Sequence, residues 1–175
     1  MRDTEEPAGR KDPAERFDAW IARVADAVLR WLRIDAGEET RKSIRQFIKF
    51  GMVGATSTAV SYGINVAVLK LLQGYHLSWD YVAGNLAAFV LSVLWSYYWN
   101  NKYVFTRQEG QERNPWKTLL KTYLAYGFTG ILLTNALSYI WIEVAGISKF
   151  AAPLINLIIT IPVNFIVNKK WAYRA

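Results

Sequence analysis

Four stretches of this sequence contain no charged side chain, and each is long enough to cross a bilayer as a helix. They run from Phe50 to Leu69, Tyr81 to Trp99, Thr122 to Ile142 and Phe150 to Val167. A helix rises about 1.5 Å per residue, so about 20 residues cover a hydrocarbon core of about 30 Å. Lipid offers the backbone no hydrogen-bond partners, so such segments must be helical. Helices at the surface of a soluble bundle carry a polar face, and these four runs have none. The pattern predicts an all-α membrane protein with four transmembrane helices, at about 50–70, 81–100, 122–143 and 150–168.

Charge supplies the orientation. Residues 1–40 carry 7 Lys+Arg and 10 Asp+Glu, whereas residues 41–175 carry 14 and 4. Arg41, Lys42, Arg45 and Lys49 precede the first run. Lys102, Arg107, Arg113, Lys117 and Lys121 separate the second from the third, and Lys169, Lys170 and Arg174 follow the fourth. The other two connections hold only Lys70 and Lys149. By the positive-inside rule both termini and the middle loop are cytoplasmic, in a multi-pass protein of the cytoplasmic (inner) membrane. The first run starts too far along the chain to read as a cleaved signal peptide.

Ahead of the spans, the charged residues 1–12 read as a disordered tail. Residues 13–34 read as an amphipathic interfacial helix. Phe17, Trp20, Ile21, Val24, Val28, Trp31 and Leu32 recur at steps of three and four, with Arg16, Arg23, Arg30 and Arg33 beside them. Such a helix either lies on the cytoplasmic leaflet or docks on a partner protein.

The membrane part, residues 44–174, looks duplicated. FGMVG at 50–54 matches YGFTG at 126–130. Ser96, Tyr97, Asn100, Lys102, Tyr103 and Phe105 match Asn164, Phe165, Asn168, Lys170, Trp171 and Tyr173. Each copy holds two spans, which makes two tandem, parallel helical-hairpin repeats. Gly51, Ala55, Ala59 and Gly63 lie four residues apart, and so do Gly130, Thr134 and Ser138. Small residues at this spacing let helices approach closely, either inside the bundle or across a homodimer.

Two residue sets are candidates for binding. At the ends of the second and fourth spans stand Asn100, Lys102 and Tyr103, and Asn164, Asn168, Lys169, Lys170 and Trp171. Aromatic belts, topology-fixing lysines and helix-capping amides account for these residue types. A cationic, hydrogen-bonding cradle for an anionic lipid headgroup accounts for their order as well. The second set, Asn65, Asn85, Asn135 and Asn156, lies within the spans. These amides either bond across helices or line a polar groove, beside which Pro162 is placed to kink the fourth span.

The two hairpins, the Phe–x–x–Gly opening and the paired Asn–x–Lys–aromatic–x–aromatic ends together resemble the GtrA family of small four-span membrane proteins. In the first copy Ser96 and Asn101 stand where the second has Asn164 and Lys169. The resemblance implies a role in cell-surface polysaccharide synthesis, moving a polyprenyl-phosphate-linked sugar across the membrane. It also implies an alternative, a non-transporting scaffold that recruits a membrane glycosyltransferase.

Other classes find little support. There is no cysteine, and the single histidine, His76, lies among loop-like residues, so no metal site or cofactor is expected. No nucleophile–base pair or paired carboxylates point to an enzyme. The basic residues flank membrane segments, which argues against nucleic acid. No Asp or Glu lies within any span except Glu143, at the outer edge of the third, whereas proton-coupled exporters place acids within the membrane.

Overall fold

A computed structural model describes residues 12–31, 33–75, 80–106, 112–148 and 151–174. Most of the disordered-tail expectation, His76, Arg107, Lys149, Leu32 and the first residue of the fourth run lie outside the described residues. Among the described residues every regular element is helical. The chain divides into two compact units, Met1–Ile48 and Lys49–Ala175.

In the first unit, α1 spans Pro13–Trp31, with Pro13 opening the helix and Glu15 in its first turn. Both suit an N-terminus, where proline loses no hydrogen bond and an acid meets the positive end of the dipole. The helix stops in a Schellman turn. Arg33 adopts φ 55°, its N–H bonds the Arg30 carbonyl at 3.1 Å, and the Ile34 N–H reaches back to Leu29 at 3.0 Å. After the turn, Arg41 pairs with Asp26 at 2.8 Å and also donates to the Ala36 carbonyl. The amphipathic stripe splits in two. Ile21, Ala25 and Leu29 are buried, while Trp20, Val28 and Trp31 stay exposed. The sequence pattern treats these residues as one surface, but only part of it is left uncovered.

Helix α2, Glu38–Leu72, starts well before the uncharged run and closes in a 3-10 turn, Gln73–Tyr75. Helix α3, Asp80–Trp99, passes into a π-helical turn at Asn100–Val104. Helix α4, Pro115–Gly127, is capped by the Asn114 side chain, which accepts from the Trp116 and Lys117 N–H groups. It continues through a π segment (Phe128–Leu133), α5 (Thr134–Tyr139) and a second π segment (Ile140–Val144). Helix α6, Ala152–Val167, contains Pro162 and ends in a π turn, Asn168–Ala172.

Two helical runs among the described residues, Glu38–Tyr75 and Val82–Val104, are long and apolar enough to cross a membrane. The third uncharged run is helical but subdivided by π segments, whereas the described part of the fourth is the single helix α6, with its π turn beyond the end of the run. In the third, Thr129 donates to Ala125 and Thr134 to Thr129, five residues back, beside Gly127 and Gly130. Hydroxyls that compete for carbonyls loosen the i to i−4 ladder and favour the wider turn. Leu86, Ile131, Leu132, Leu154 and Ile158 are all exposed. Apolar surface on this scale is unfavourable in water and natural in lipid.

The expected small-residue packing is not how these helices meet. An added Cβ at Gly51, Gly54, Gly63 or Gly130 would touch nothing within 4 Å. The close approach is at Gly84, where a Cβ would come within 3.1 Å of the Asn65 amide nitrogen. There α3 lies against α2, and Asn65 donates to Asn85 at 2.9 Å. Ser57 bonds the Ser92 carbonyl and Trp95 bonds Thr56 along the same contact.

Candidate functional site

A cavity of about 880 Å³ runs along one side of α2 in the second unit. Its wall from α2 includes Phe50, Gly51, Gly54, Ser57, Thr58, Ser61, Tyr62 and Asn65. Phe50 and Asn65 are fifteen positions apart, about 22 Å along a helix. Helix α3 adds Asn85, Ala88, Phe89 and Ser92, and the third run adds Tyr126, Thr129, Gly130 and Thr134. Helix α6 contributes Leu157, Thr160, Ile161 and Asn164. Glycines at 51, 54 and 130 leave the groove open because they bring no side chain into it. Phe50 with Gly54, and Tyr126 with Gly130, are the matched positions of the FGMVG and YGFTG segments, and all four line the cavity.

The lining sets hydroxyl and amide side chains into a mostly apolar wall, and among its described residues there is no carboxylate, amine, guanidinium or imidazole. Two amides stand at opposite ends. Asn85 accepts from Asn65 through its Oδ1, and Asn164 accepts from Asn168 through its Oδ1 at 2.8 Å. Both amide nitrogens therefore remain as donors.

The four asparagines of the uncharged runs separate. Asn65 and Asn85 line the cavity. Asn156 is buried and bonds Ser138 at 2.7 Å and the Thr134 carbonyl at 3.3 Å, tying α6 to α5. Asn135 is exposed and bonds its own helix at Ile131. Pro162 is not in the lining, although Ile161 and Asn164 are.

The two aromatic ends adopt matched structures. Each forms a π turn that starts at a fully buried asparagine, Asn100 or Asn168. The closing bond runs from Phe105 N–H to the Asn100 carbonyl at 2.7 Å, and from Tyr173 N–H to the Asn168 carbonyl at 2.9 Å. The last rings of the two motifs then stack on each other, Phe105 on Tyr173, at 4.6 Å. Phe50 and Phe165 complete this buried cluster. Arg113 lies over Tyr173 at 5.5 Å and donates to Asn101 and to the Phe105 carbonyl. Burial raises the Tyr173 phenol pKa above its ordinary value. The Asn–x–Lys–aromatic–x–aromatic order thus has a structural cause: an i to i−5 turn places the final ring in the core.

The lysines are arranged unequally. Lys102 is exposed above the rings of Tyr103, Tyr98 and Trp99, at 5.2 to 5.7 Å. The Tyr103 hydroxyl first, then Tyr98, raises its pKa, so it is a full cation at neutral pH. Lys170, its sequence counterpart, is exposed and is not the lysine that meets Trp171. Lys121 of α4 is: it lies 5.7 Å from that ring and donates to the Trp171 carbonyl at 3.1 Å. Lys169 sits over Phe165 at 5.7 Å. Reading the sequence missed Lys121, because its partner lies fifty positions away. It also missed Tyr126, although the match of YGFTG to FGMVG marks that position.

The model of the family described as GtrA/DPMS, transmembrane domain, matches residues 49–173, nearly the whole of the second unit. The cell wall teichoic acid glycosylation protein GtcA of Listeria monocytogenes serovar 1/2a is 30% identical over 110 residues. That alignment covers 61% of this chain and 72% of the Listeria protein. With its exposed apolar helices and a family match over most of its length, this chain is a membrane protein that belongs to the GtrA/DPMS family.

Proposed function

We propose that this protein moves a polyprenyl-phosphate-linked sugar from the cytoplasmic to the outer leaflet of the cytoplasmic membrane, for glycosylation of a cell-surface polymer. The observation that carries this reading is the groove. A cavity about 22 Å long in a membrane chain, with hydroxyls and amides spaced along a mostly apolar wall, offers a sugar headgroup successive hydrogen bonds across most of the hydrocarbon thickness while the polyprenyl tail stays in lipid. The family match and the relative named for teichoic acid glycosylation point to the same process. The protein has no catalytic role in this account; a membrane glycosyltransferase uses the delivered lipid.

The topology in this reading is four spans in two tandem hairpins with both termini cytoplasmic. The matched π turns at Asn100 and Asn168 support the duplication, and the basic flanks support the orientation. Lys102 and Lys121, with Lys169 and Lys170, form a cationic rim that gathers phosphate headgroups at the cytoplasmic surface. A second reading, recruitment of the glycosyltransferase without transport, draws on the uncovered Trp20 and Trp31 of α1.

Transport is tested with purified protein in vesicles that carry a fluorescent polyprenyl-phosphate-hexose in one leaflet. The wild type should accelerate its exchange over empty vesicles. Asn85→Leu combined with Asn164→Leu should slow it by about tenfold or more, the cost of one or two lost hydrogen bonds. A folded wild-type protein that gives no acceleration would leave the recruitment reading in its place.

A further inference from the structure

We infer that passage through the groove is electrogenic, so the membrane potential itself drives the lipid outward. This rests on the transport reading above. A polyprenyl sugar phosphodiester carries one negative charge, which must cross with the headgroup. A carrier that neutralises its cargo supplies a cation, or an acid or base that moves a proton with it. Among its described lining residues the groove supplies neither. Ser61, Thr160, Asn85 and Asn164 offer dipoles, and the two phenols in the wall belong to Tyr62 and Tyr126. The acid that borders the third run, Glu143, is not among the lining residues. Dipoles stabilise a charge without cancelling it, so the charge that enters at the Phe50 end leaves at the Asn65 end.

The sign follows. A cell interior is electrically negative, so an anion released from the inner leaflet is pushed outward. For one charge, a potential of about 100 mV corresponds to about 2.3 kcal/mol, roughly a 50-fold bias of the leaflet ratio. No separate coupling ion is needed, and the amide donors at the two groove ends hold the phosphate on entry and release.

The test uses the full chain in vesicles with a fluorescent short-chain polyprenyl-phosphate-hexose. With no potential, the protein should equilibrate the probe to an equal leaflet distribution faster than empty vesicles do. With a potassium diffusion potential of about 100 mV set by valinomycin, the steady-state ratio should shift roughly 50-fold toward the positive side. The equilibrium ratio does not depend on which way the protein is inserted. A polyprenyl hexose without the phosphate should show no shift. Fast exchange with a ratio that stays near one would overturn this inference alone, as would a ratio that follows an imposed pH gradient. No acceleration in any condition would overturn the transport reading and this inference together.

Discussion

Replacing Phe105 separates the two roles that the repeated aromatic motif could have. Phe105 is 4% exposed and contacts Tyr173 at 4.6 Å, Phe165 at 5.9 Å and Phe50 at 6.2 Å. Phe105→Ala empties the centre of this cluster, and a buried Phe→Ala change costs about 3–5 kcal/mol. For a chain of this size each kcal/mol lowers the melting temperature by about 2–4 °C, so the expected loss is on the order of 10 °C. Tyr103 is the comparison. It is two residues away in the same motif, half-buried, and stacks on Trp99 at 5.3 Å. Losing that stack costs about 0.5–1.5 kcal/mol, which is roughly 2–4 °C. Both variants are read by thermal aggregation of the detergent-solubilised protein, followed by size-exclusion chromatography. Phe105→Leu, which keeps most of the volume, should fall between them. If Phe105→Ala melts no lower than Tyr103→Ala, the motif is not a core-forming turn and the account of its duplication is wrong.

Gly84→Val should disrupt the contact of α2 with α3, because the new Cβ meets the Asn65 amide at 3.1 Å and the Asn65 carbonyl at 3.5 Å. A loss of about 1–3 kcal/mol in thermal stability is expected, with slower headgroup exchange in vesicles. Tyr173 predicts an alkaline limit. Burial holds its folded pKa above the unfolded phenol value of about 10, so its stabilising contribution is complete below that pH and is lost as pH rises from there toward the folded value. Melting curves from pH 8 to 11 should therefore fall less steeply for Tyr173→Phe than for the wild type. Asp26→Asn removes the partner of Arg41 in a partly exposed pair, and should cost about 0.2–1 kcal/mol at low salt and less at high salt. Protease protection of the first unit reads it out, and an equal loss at both salt concentrations would contradict an electrostatic origin.

The helical class was legible in the sequence, because charge-free runs are visible without coordinates, and so was the presence of amides within those runs. The sequence did not separate Asn65 and Asn85 from Asn135 and Asn156. All four are amides in apolar helices, and which face each occupies depends on helix rotation. At Asn135 that rotation is reset by the preceding π segment, Phe128–Leu133, which leaves no periodicity of its own in a short run. The glycine spacing was misleading for a related reason. Gly51, Gly54 and Gly130 keep a cavity open, and the helices touch instead at Gly84, which lies outside the four-residue pattern. In the cationic rim, counting along the repeat pointed to Lys170, whereas the chain folds Lys121 onto Trp171 from another helix. The split of the α1 stripe is likewise invisible locally, since Trp20 and Ile21 are equally apolar neighbours.

The most direct test asks whether the headgroup occupies the groove. The chain has no cysteine, so a single introduced thiol reports one position cleanly. Thr58→Cys and Ser61→Cys place it in the groove wall, and Glu112→Cys places it at an exposed polar position outside the lining. The rate of labelling by a small water-soluble thiol reagent is measured with and without a polyprenyl-phosphate-hexose. Slower labelling at positions 58 and 61 with added lipid, and no change at 112, is the result this account predicts. Unchanged rates at both groove positions, in a protein that remains folded, would contradict it.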